Sequence, residues 1–343
     1  MDAKLFRNFQ AFVQMADDDT PPLGQIIAGI FEGQYQHGDP TGGQWRRMGF
    51  IPVEEDAFDM DIQGSATLIA VQLNERILPG AVIREKMLER IASIEDREGR
   101  KVGKKEYAAL KDEIAFELLP QSHIRRKLIP IMFVNDLVLI FTSSAKLCDD
   151  IMALLYRATR VPELKLVHIG GAVKNDISGT LTTLAREGST DIGNDDQNYL
   201  TTSLSAVLKG ENKKTIRIKD KDVQDHDMQQ LLKQDYTVTQ LGVELWEPGT
   251  DDRSVTFTLN DHLVFSGFKL TDVETRGDGA DAFLTLAWMT AKLGETAVRE
   301  VITLMGGKRA ASEVGKEPDK PLDDLVRENA EAEHATVEDD DEL

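Results

Sequence analysis

A chain of 343 residues with 41% hydrophobic content has the apolar mass for a large core, and its length suits two or three domains. No apolar run approaches the roughly 20 residues needed to cross a bilayer, and the opening MDAKLFRNFQ lacks the apolar stretch of a signal peptide, so a membrane partner is not expected and a cytoplasmic protein is. The formal net charge is −20, and the single cysteine, Cys148, excludes an intrachain disulfide and any cysteine-based zinc cluster.

In chain order, FQAFVQM (9–15) alternates as a half-buried strand does, and PLGQIIAGIFEG (22–33) sets Leu23, Ile26, Ile27 and Ile30 on one helical stripe behind Pro21 and Pro22. After a polar, glycine-dotted loop, SATLIAVQL (65–73) reads as a strand. Pro79 then opens a long helix with Ile83, Met87, Ile91 and Ile94 on its buried side. Gly99 and Gly103 interrupt it, and a second helix from about Lys105 to Leu119 turns Leu110, Ile114 and Leu118 inward before stopping at Pro120. IPIMFVNDLVLIFTSS (129–144) is two β-rich runs about the turn-favouring Asn135-Asp136, followed by an amphipathic helix, AKLCDDIMALLYRA (145–158). The order recurs: SVTFTLNDHLVFSGF (254–268) turns at Asn260-Asp261, and a helix follows at 280–305. This is a weak internal duplication of hairpin plus helix, with coincidence as the alternative, since Asn-Asp turns are common.

The expected fold class is α+β, with largely antiparallel sheets and a long helical hairpin. Its expected parts are an N-terminal α+β portion of a central domain (1–75), a basic helical hairpin (76–128), and a strand hairpin with helix completing that domain (129–170). A second basic segment with a tip region (171–235), a C-terminal strand hairpin with helix (236–306) and an acidic tail (307–343) follow.

The negative charge is unevenly placed. Residues 318–343 hold eleven acids against Lys320 and Arg327, a net of −9, and read as a disordered extension with too few apolar residues to fold. By contrast, residues 76–128 and residues 207–221 each carry a net of +4. The densest knot is REGRKVGKK (97–105), with Arg97, Arg100, Lys101, Lys104 and Lys105 at the bend of the helical hairpin. Charges are screened over about 8 Å at physiological salt, so a polyanion touching these islands feels them more than the distant total. Arg84, Arg90, Arg125, Arg126 and Lys127 extend the first island, and Lys213, Lys214, Arg217, Lys219 and Lys221 form the second. Each is a candidate phosphate contact, with a solvated surface face as the plain alternative. The acids of the tail are expected to compete with such a polyanion for the same islands.

Candidate catalytic groups are weak. HGDPTGGQW (37–45) lacks the Lys-Ser/Thr ending of a phosphate-binding loop and reads as a surface loop. The DHD at 225–227 suits a solvated helix face better than a metal site. Asp59 and Asp61 would share one side of a strand, as a two-metal nuclease wants, but sixty acids in the chain make such pairs cheap. Asp149 and Asp150 oppose a thiolate at Cys148, which reads as a packing residue. No catalytic residue, metal site or cofactor is expected.

RILPGAVIREKMLERI (76–91), GRKVGKKE (99–106) and LKDEIAFELLP (110–120) resemble, in order and spacing, the helical hairpin of the bacterial recombination-associated RdgC family, which also carries an exonuclease label. LFRN (5–8), RRMGFIP (46–52), SSAK (143–146), IRIKDKD (216–222) and VTQLGVELW (238–246) add to the resemblance, which covers roughly residues 1–306. It implies a nucleoid-associated protein whose homodimer closes into a ring around duplex DNA, with single-stranded DNA as a further ligand. It also implies little sequence preference and antagonism toward a RecA-type recombinase. Arg84, Arg90, Arg100, Lys101 and Lys104 fall on basic positions of the family's hairpin. Where the family places a ring-closing phenylalanine three residues after Leu-Leu-Pro, this chain has His123 followed by Ile124, and a Lys-Gln pair of the family aligns with Asp220-Lys221. The alternatives are a metal-dependent DNA exonuclease and an acidic protein-interaction module.

Overall fold

A computed structural model describes residues 3–15, 38–55, 57–159, 165–190, 198–210, 214–223, 225–234, 236–248, 253–271 and 280–310. The helix expected at 22–33, Lys213 and the acidic tail from residue 318 lie outside the described residues.

The architecture is α+β, with a large antiparallel sheet. The strands are β1 (Phe9–Gln14), β2 (Arg46–Ile51), β3 (Asp59–Ile62) and β4 (Ala66–Ile77), after which the helical hairpin α1 (Gly80–Glu98) and α2 (Lys104–Leu118) intervenes. Then come β5 (His123–Val134), β6 (Leu137–Ile140), α3 (Ala145–Thr159), β7 (Leu166–His168), α4 (Ile169–Ala172) and α5 (Ile177–Glu187). The chain continues through β8 (Tyr199–Lys209), β9 (Thr215–Lys219), α6 (His226–Leu232), β10 (Thr237–Trp246), β11 (Arg253–Asn260), β12 (Val264–Leu270) and α7 (Ala280–Leu304). Two compact units result: Met1–Ile30 with Met60–Leu68 and Pro130–Leu343, and Phe31–Asp59 with Ile69–Ile129.

In the larger unit the strand order is β5-β6-β1-β12-β11-β10-β8-β9, with β7 alongside β1. The alternation in FQAFVQM predicts a half-buried strand, yet all six residues of β1 are buried. In the sheet β6 lines one edge of β1 while β12 and β7 share the other, and both faces are covered by packing above and below the sheet. Phe9, Ala11 and Val13 enter the main core with Ala287, Ala291 and Val298 of α7. Phe9 stacks on Phe265 at 4.6 Å, and Phe6 on Phe283 at 5.8 Å. Gln10 and Phe12 turn to the opposite face, beside Ala145 and Cys148 of α3. Gln10 is tolerated there because its Nε2 donates to the Thr142 carbonyl at 3.3 Å. Cys148 is buried, as a packing residue should be.

The two asparagine-led turns are built differently. Asn135 itself adopts a positive φ of 54° between β5 and β6. Asn260 instead uses its Oδ1 to accept N–H groups from His262 at 3.0 Å and Val264 at 2.9 Å, and Leu263 takes the positive φ of 51°.

In the smaller unit β2 pairs with β4 from Arg46↔Glu75 to Ile51↔Ala70. Helix α1 ends at Gly99, whose φ of 65° is a left-handed conformation that favours glycine. Of the four α1 residues expected inside, only Met87 is fully buried; Ile83, Ile91 and Ile94 are half-exposed. On α2, Leu110 and Ile114 are buried as expected, and Leu118 only partly. A two-helix hairpin covers each helix on one side, so its apolar stripe is only narrowly enclosed.

The β5–β6 turn is fastened by charge. Asp136 accepts hydrogen bonds from Arg299 Nη2 at 2.7 Å and from Lys308 Nζ, and Arg299 also holds Glu295 at 2.7 Å. Burial opposes the Asp136 charge, but the bonds from Lys308 and Arg299 prevail and hold the carboxyl below its ordinary range. A depressed folded-state pKa contributes stability above the unfolded value of about 3.9, lost as pH falls through the folded value. Asp136→Ala is expected to cost about 1–2 kcal/mol in urea unfolding at neutral pH. The difference from wild type should narrow once the pH drops below about 4.

Candidate nucleic-acid interface

The bend between α1 and α2 sorts its five cations into two groups. Arg100 places Nη1 2.7 Å and Nη2 2.9 Å from the two Glu106 oxygens, and a third contact of 2.7 Å reaches Glu98. Arg97 pairs with Glu98 at 2.9 Å. Glu106 also accepts the Gly103 N–H at 3.4 Å, capping the first turn of α2, while Glu95 accepts the Val102 N–H at 3.2 Å. Hydrogen bonding from Arg100 lowers the Glu106 pKa, and that from Arg97 lowers the Glu98 pKa. Lys101, Lys104 and Lys105 are exposed, and none forms an ion pair among the described residues. The arginines therefore hold the bend, and the lysines display the charge.

The same division holds along the rest of the first island. Arg90 bridges α1 to α2 through Glu117 at 3.0 Å, Arg125 of β5 meets Glu75 at 2.7 Å, and Arg126 meets Asp39 at 3.1 Å. Arg84 and Lys127 are exposed and without an ion pair among the described residues. Arg76 is structural: its two terminal nitrogens donate to the Leu119 and Pro40 carbonyls, both at 2.6 Å, tying the end of the hairpin to a loop. Its separation in sequence from Leu119 hides that role until the fold is known.

In the larger unit the second island is a strand face. Register pairs Lys219 with Ser205, Arg217 with Val207 and Thr215 with Lys209, so Arg217, Lys219 and Lys209 share one side of the β8–β9 ribbon. Ile216 and Ile218 turn to the other side, with Ala206 and Leu208. Lys209 is counted in the charge of residues 207–221, but its place on the same face as Arg217 and Lys219 is visible only through this cross-strand register. Lys214 is exposed just before β9, and Lys221 is exposed just beyond it, its N–H donating to the Leu204 carbonyl at 3.3 Å.

The groups weighed for catalysis are dispersed. Asp59 and Asp61 are exposed on β3, and Asp61 accepts the Gly64 N–H at 3.0 Å in the turn that follows. Asp225 precedes α6 and His226 is exposed. Among the described residues no group of three or more His, Cys, Asp or Glu side chains is placed to hold a metal ion. A cavity of about 430 Å³ lies in the larger unit beside Phe12, Asp149, His168 and His262. His168 Nδ1 accepts the Gly170 N–H at 3.1 Å, which leaves the ring proton on Nε2, and burial lowers its pKa to about 4. Among the described residues, no helix is long and apolar enough to cross a membrane.

A family model described as "Putative exonuclease, RdgC" matches residues 6–288. The chain belongs to the RdgC family. A protein named recombination-associated protein RdgC from Shewanella sp. (strain ANA-3) is 39% identical over 124 residues, 36% of this chain and 40% of that relative. One of the same name from Shewanella baltica (strain OS185) is 45% identical over 93 residues, 26% of this chain and 31% of that relative. The chain thus spans well under two thirds of the curated relatives it matches.

The RdgC match takes in both cationic islands and stops within α7. Of the positions that the sequence resemblance singles out, His123 and Ile124 are the first two residues of β5, His123 exposed and Ile124 half-buried, and Asp220 lies at the bend after β9 with a φ of 57°. An aspartate tolerates that left-handed conformation better than most residues do. If Glu106 restrains Arg100, Glu106→Gln should raise retention on a heparin column at low salt, with little change in helix content by circular dichroism.

Proposed function

We propose that this RdgC-family chain binds duplex DNA with little sequence preference and modulates homologous recombination. The observation that carries the reading is the bend of the helical hairpin, where Lys101, Lys104 and Lys105 stand exposed without ion pairs among the described residues while the neighbouring arginines are held by carboxylates. Phosphate contacts from such cations supply nearly all non-specific affinity and carry no sequence information. The recombination role is taken from the names of the relatives. In this reading the protein is nucleoid-associated and cytoplasmic, accepts single-stranded DNA as well, restrains a RecA-type recombinase, and acts as a homodimeric ring. An internal duplication of hairpin plus helix belongs to the same reading. The alternative is a nuclease, which would gather carboxylates around metal; Asp61 accepts the Gly64 N–H in a turn.

Reversing Lys101, Lys104 and Lys105 together to glutamate should weaken binding to unrelated duplexes by a similar factor. It should also flatten the log–log salt dependence by about 0.9 for each phosphate that these side chains neutralise in the parent protein. An unchanged slope in fluorescence-anisotropy titrations would remove the hairpin bend from the DNA surface.

Ring closure is assigned to His123 and Ile124. A closed ring slides off linear DNA but must open to leave a circle, so complexes on circular duplex should outlast those on linear duplex after a salt challenge. Ile124→Asp is expected to shorten the circular lifetime selectively, and His123→Phe to lengthen it. An unaltered circular-to-linear ratio in both variants would place closure elsewhere or show that no ring forms.

A further inference from the structure

We infer that the cationic face of the β8–β9 ribbon is the docking surface for the chain's own acidic segment, residues 318–343, which occupies it when DNA does not. The inference rests on the DNA-binding reading above only for the competing ligand.

The family match ends at residue 288 and leaves this segment outside it. Its net charge of −9 is the largest block of one sign in the chain. The last described residues leave from the larger unit, where Arg309 is buried: its N–H donates to the Ala172 carbonyl at 2.7 Å and its Nε to the Val173 carbonyl at 2.7 Å. That point lies beside the start of α5. The far end of α5 leads to Gly188, whose carbonyl accepts the Thr202 N–H of β8 at 2.8 Å. Lys209 lies farther along the same strand, across from Thr215 at the start of β9.

Every step of this path stays within one compact unit. The 11 residues of α5 cover roughly 17 Å. From Thr202 to Lys209 along β8 adds roughly 24 Å, so the ribbon face is within about 50 Å of the exit. The densest acids, Glu338 to Glu342, follow Ala310 by about 30 residues, a length that spans up to about 100 Å. The linkage holds the segment at high effective concentration near the ribbon.

The recipient face suits an extended polyanion. Lys209, Arg217 and Lys219 lie on one side of two paired strands, and β9 ends the strand order, so no further strand flanks it among the described residues. None of the three forms an ion pair among the described residues. The nearest carboxylate in sequence is Asp220, exposed at the bend after Lys219.

Zero-length carbodiimide crosslinking of the full chain without DNA, read by mass spectrometry, tests the contact directly. Crosslinks from residues 318–343 to Lys209 and Lys219 are expected at low salt and should fade when salt or duplex is added. Absence of those crosslinks, or their replacement by crosslinks to Lys101, Lys104 and Lys105, overturns the inference.

The second arm compares the full chain with a chain ending at Ala310 on a fluorescent duplex. Truncation should tighten binding by about fivefold at about 50 mM salt and by much less at about 200 mM. The gain should vanish in a Lys209→Glu, Arg217→Glu, Lys219→Glu variant whose circular dichroism matches the parent. Equal affinity with and without the segment overturns the competition. A chain that shows the crosslinks but binds no DNA would refute the DNA-binding reading and leave the docking contact standing.

Discussion

The larger unit depends on β1 being buried on both faces. A strand with no solvent-facing side must be enclosed twice, and here the enclosure is chemically uneven. Phe9, Ala11 and Val13 meet an aromatic and aliphatic core completed by α7, whereas Gln10 and Phe12 lie on the face that includes Cys148 of α3. Such a centre has little room for charge, because a buried ion without a partner costs several kcal/mol. The charges that approach it are neutralised at its margin, as Asp136 is by Arg299 and Lys308. Cations available to a ligand lie away from that centre, the densest at a helical bend in one unit and on a terminal strand ribbon in the other.

At those places arginine and lysine take different roles for a physical reason. The planar guanidinium presents parallel donors that match a carboxylate, and Arg100 uses two of them on Glu106. Arg90, Arg97, Arg125 and Arg126 also meet carboxylates. The ammonium of lysine is a compact, strongly hydrated charge on a mobile stem, well suited to an uneven row of phosphates. The division is a tendency: Lys86 pairs with Glu89, and Arg84 and Arg217 form no ion pair among the described residues. It nevertheless reduces the five-cation knot to three available charges, which lowers the number of counterions that DNA binding there would release.

Much of this is legible before the fold is known. The helical hairpin announces itself through Pro79, Gly99, Gly103 and Pro120, since these residues act on the backbone they occupy. The two strand hairpins are visible at their asparagines for the same reason. What stays hidden depends on partners distant in sequence. The alternation in FQAFVQM is real, but only its neighbours show that the polar side of β1 is also covered. The available and occupied cations of the hairpin cannot be separated until Glu98 and Glu106 are seen to converge on Arg100. Arg76 and Lys209 are counted in the two islands, but their roles carry no local signal, because one is defined by a carbonyl 43 residues away and the other by strand register.

Net charge is a poor guide to the ligand of such a chain. At about 8 Å of screening, a phosphate beside Lys101 interacts with the bend it touches and scarcely with an acid on the far side of the molecule. Distant acids matter in two other ways: they discourage self-association of the cationic faces, and they reach those faces when joined to them by chain of sufficient length. The segment after Ala310 meets the length condition for the β8–β9 ribbon of its own unit, and its excess of carboxylates resembles, in charge, the polyanion that exposed cations would bind. A tethered polyanion and a free one would then share the same cations, and raising the salt weakens both contacts together. Were the free polyanion DNA, its apparent affinity would be a difference between two electrostatic terms rather than one term alone.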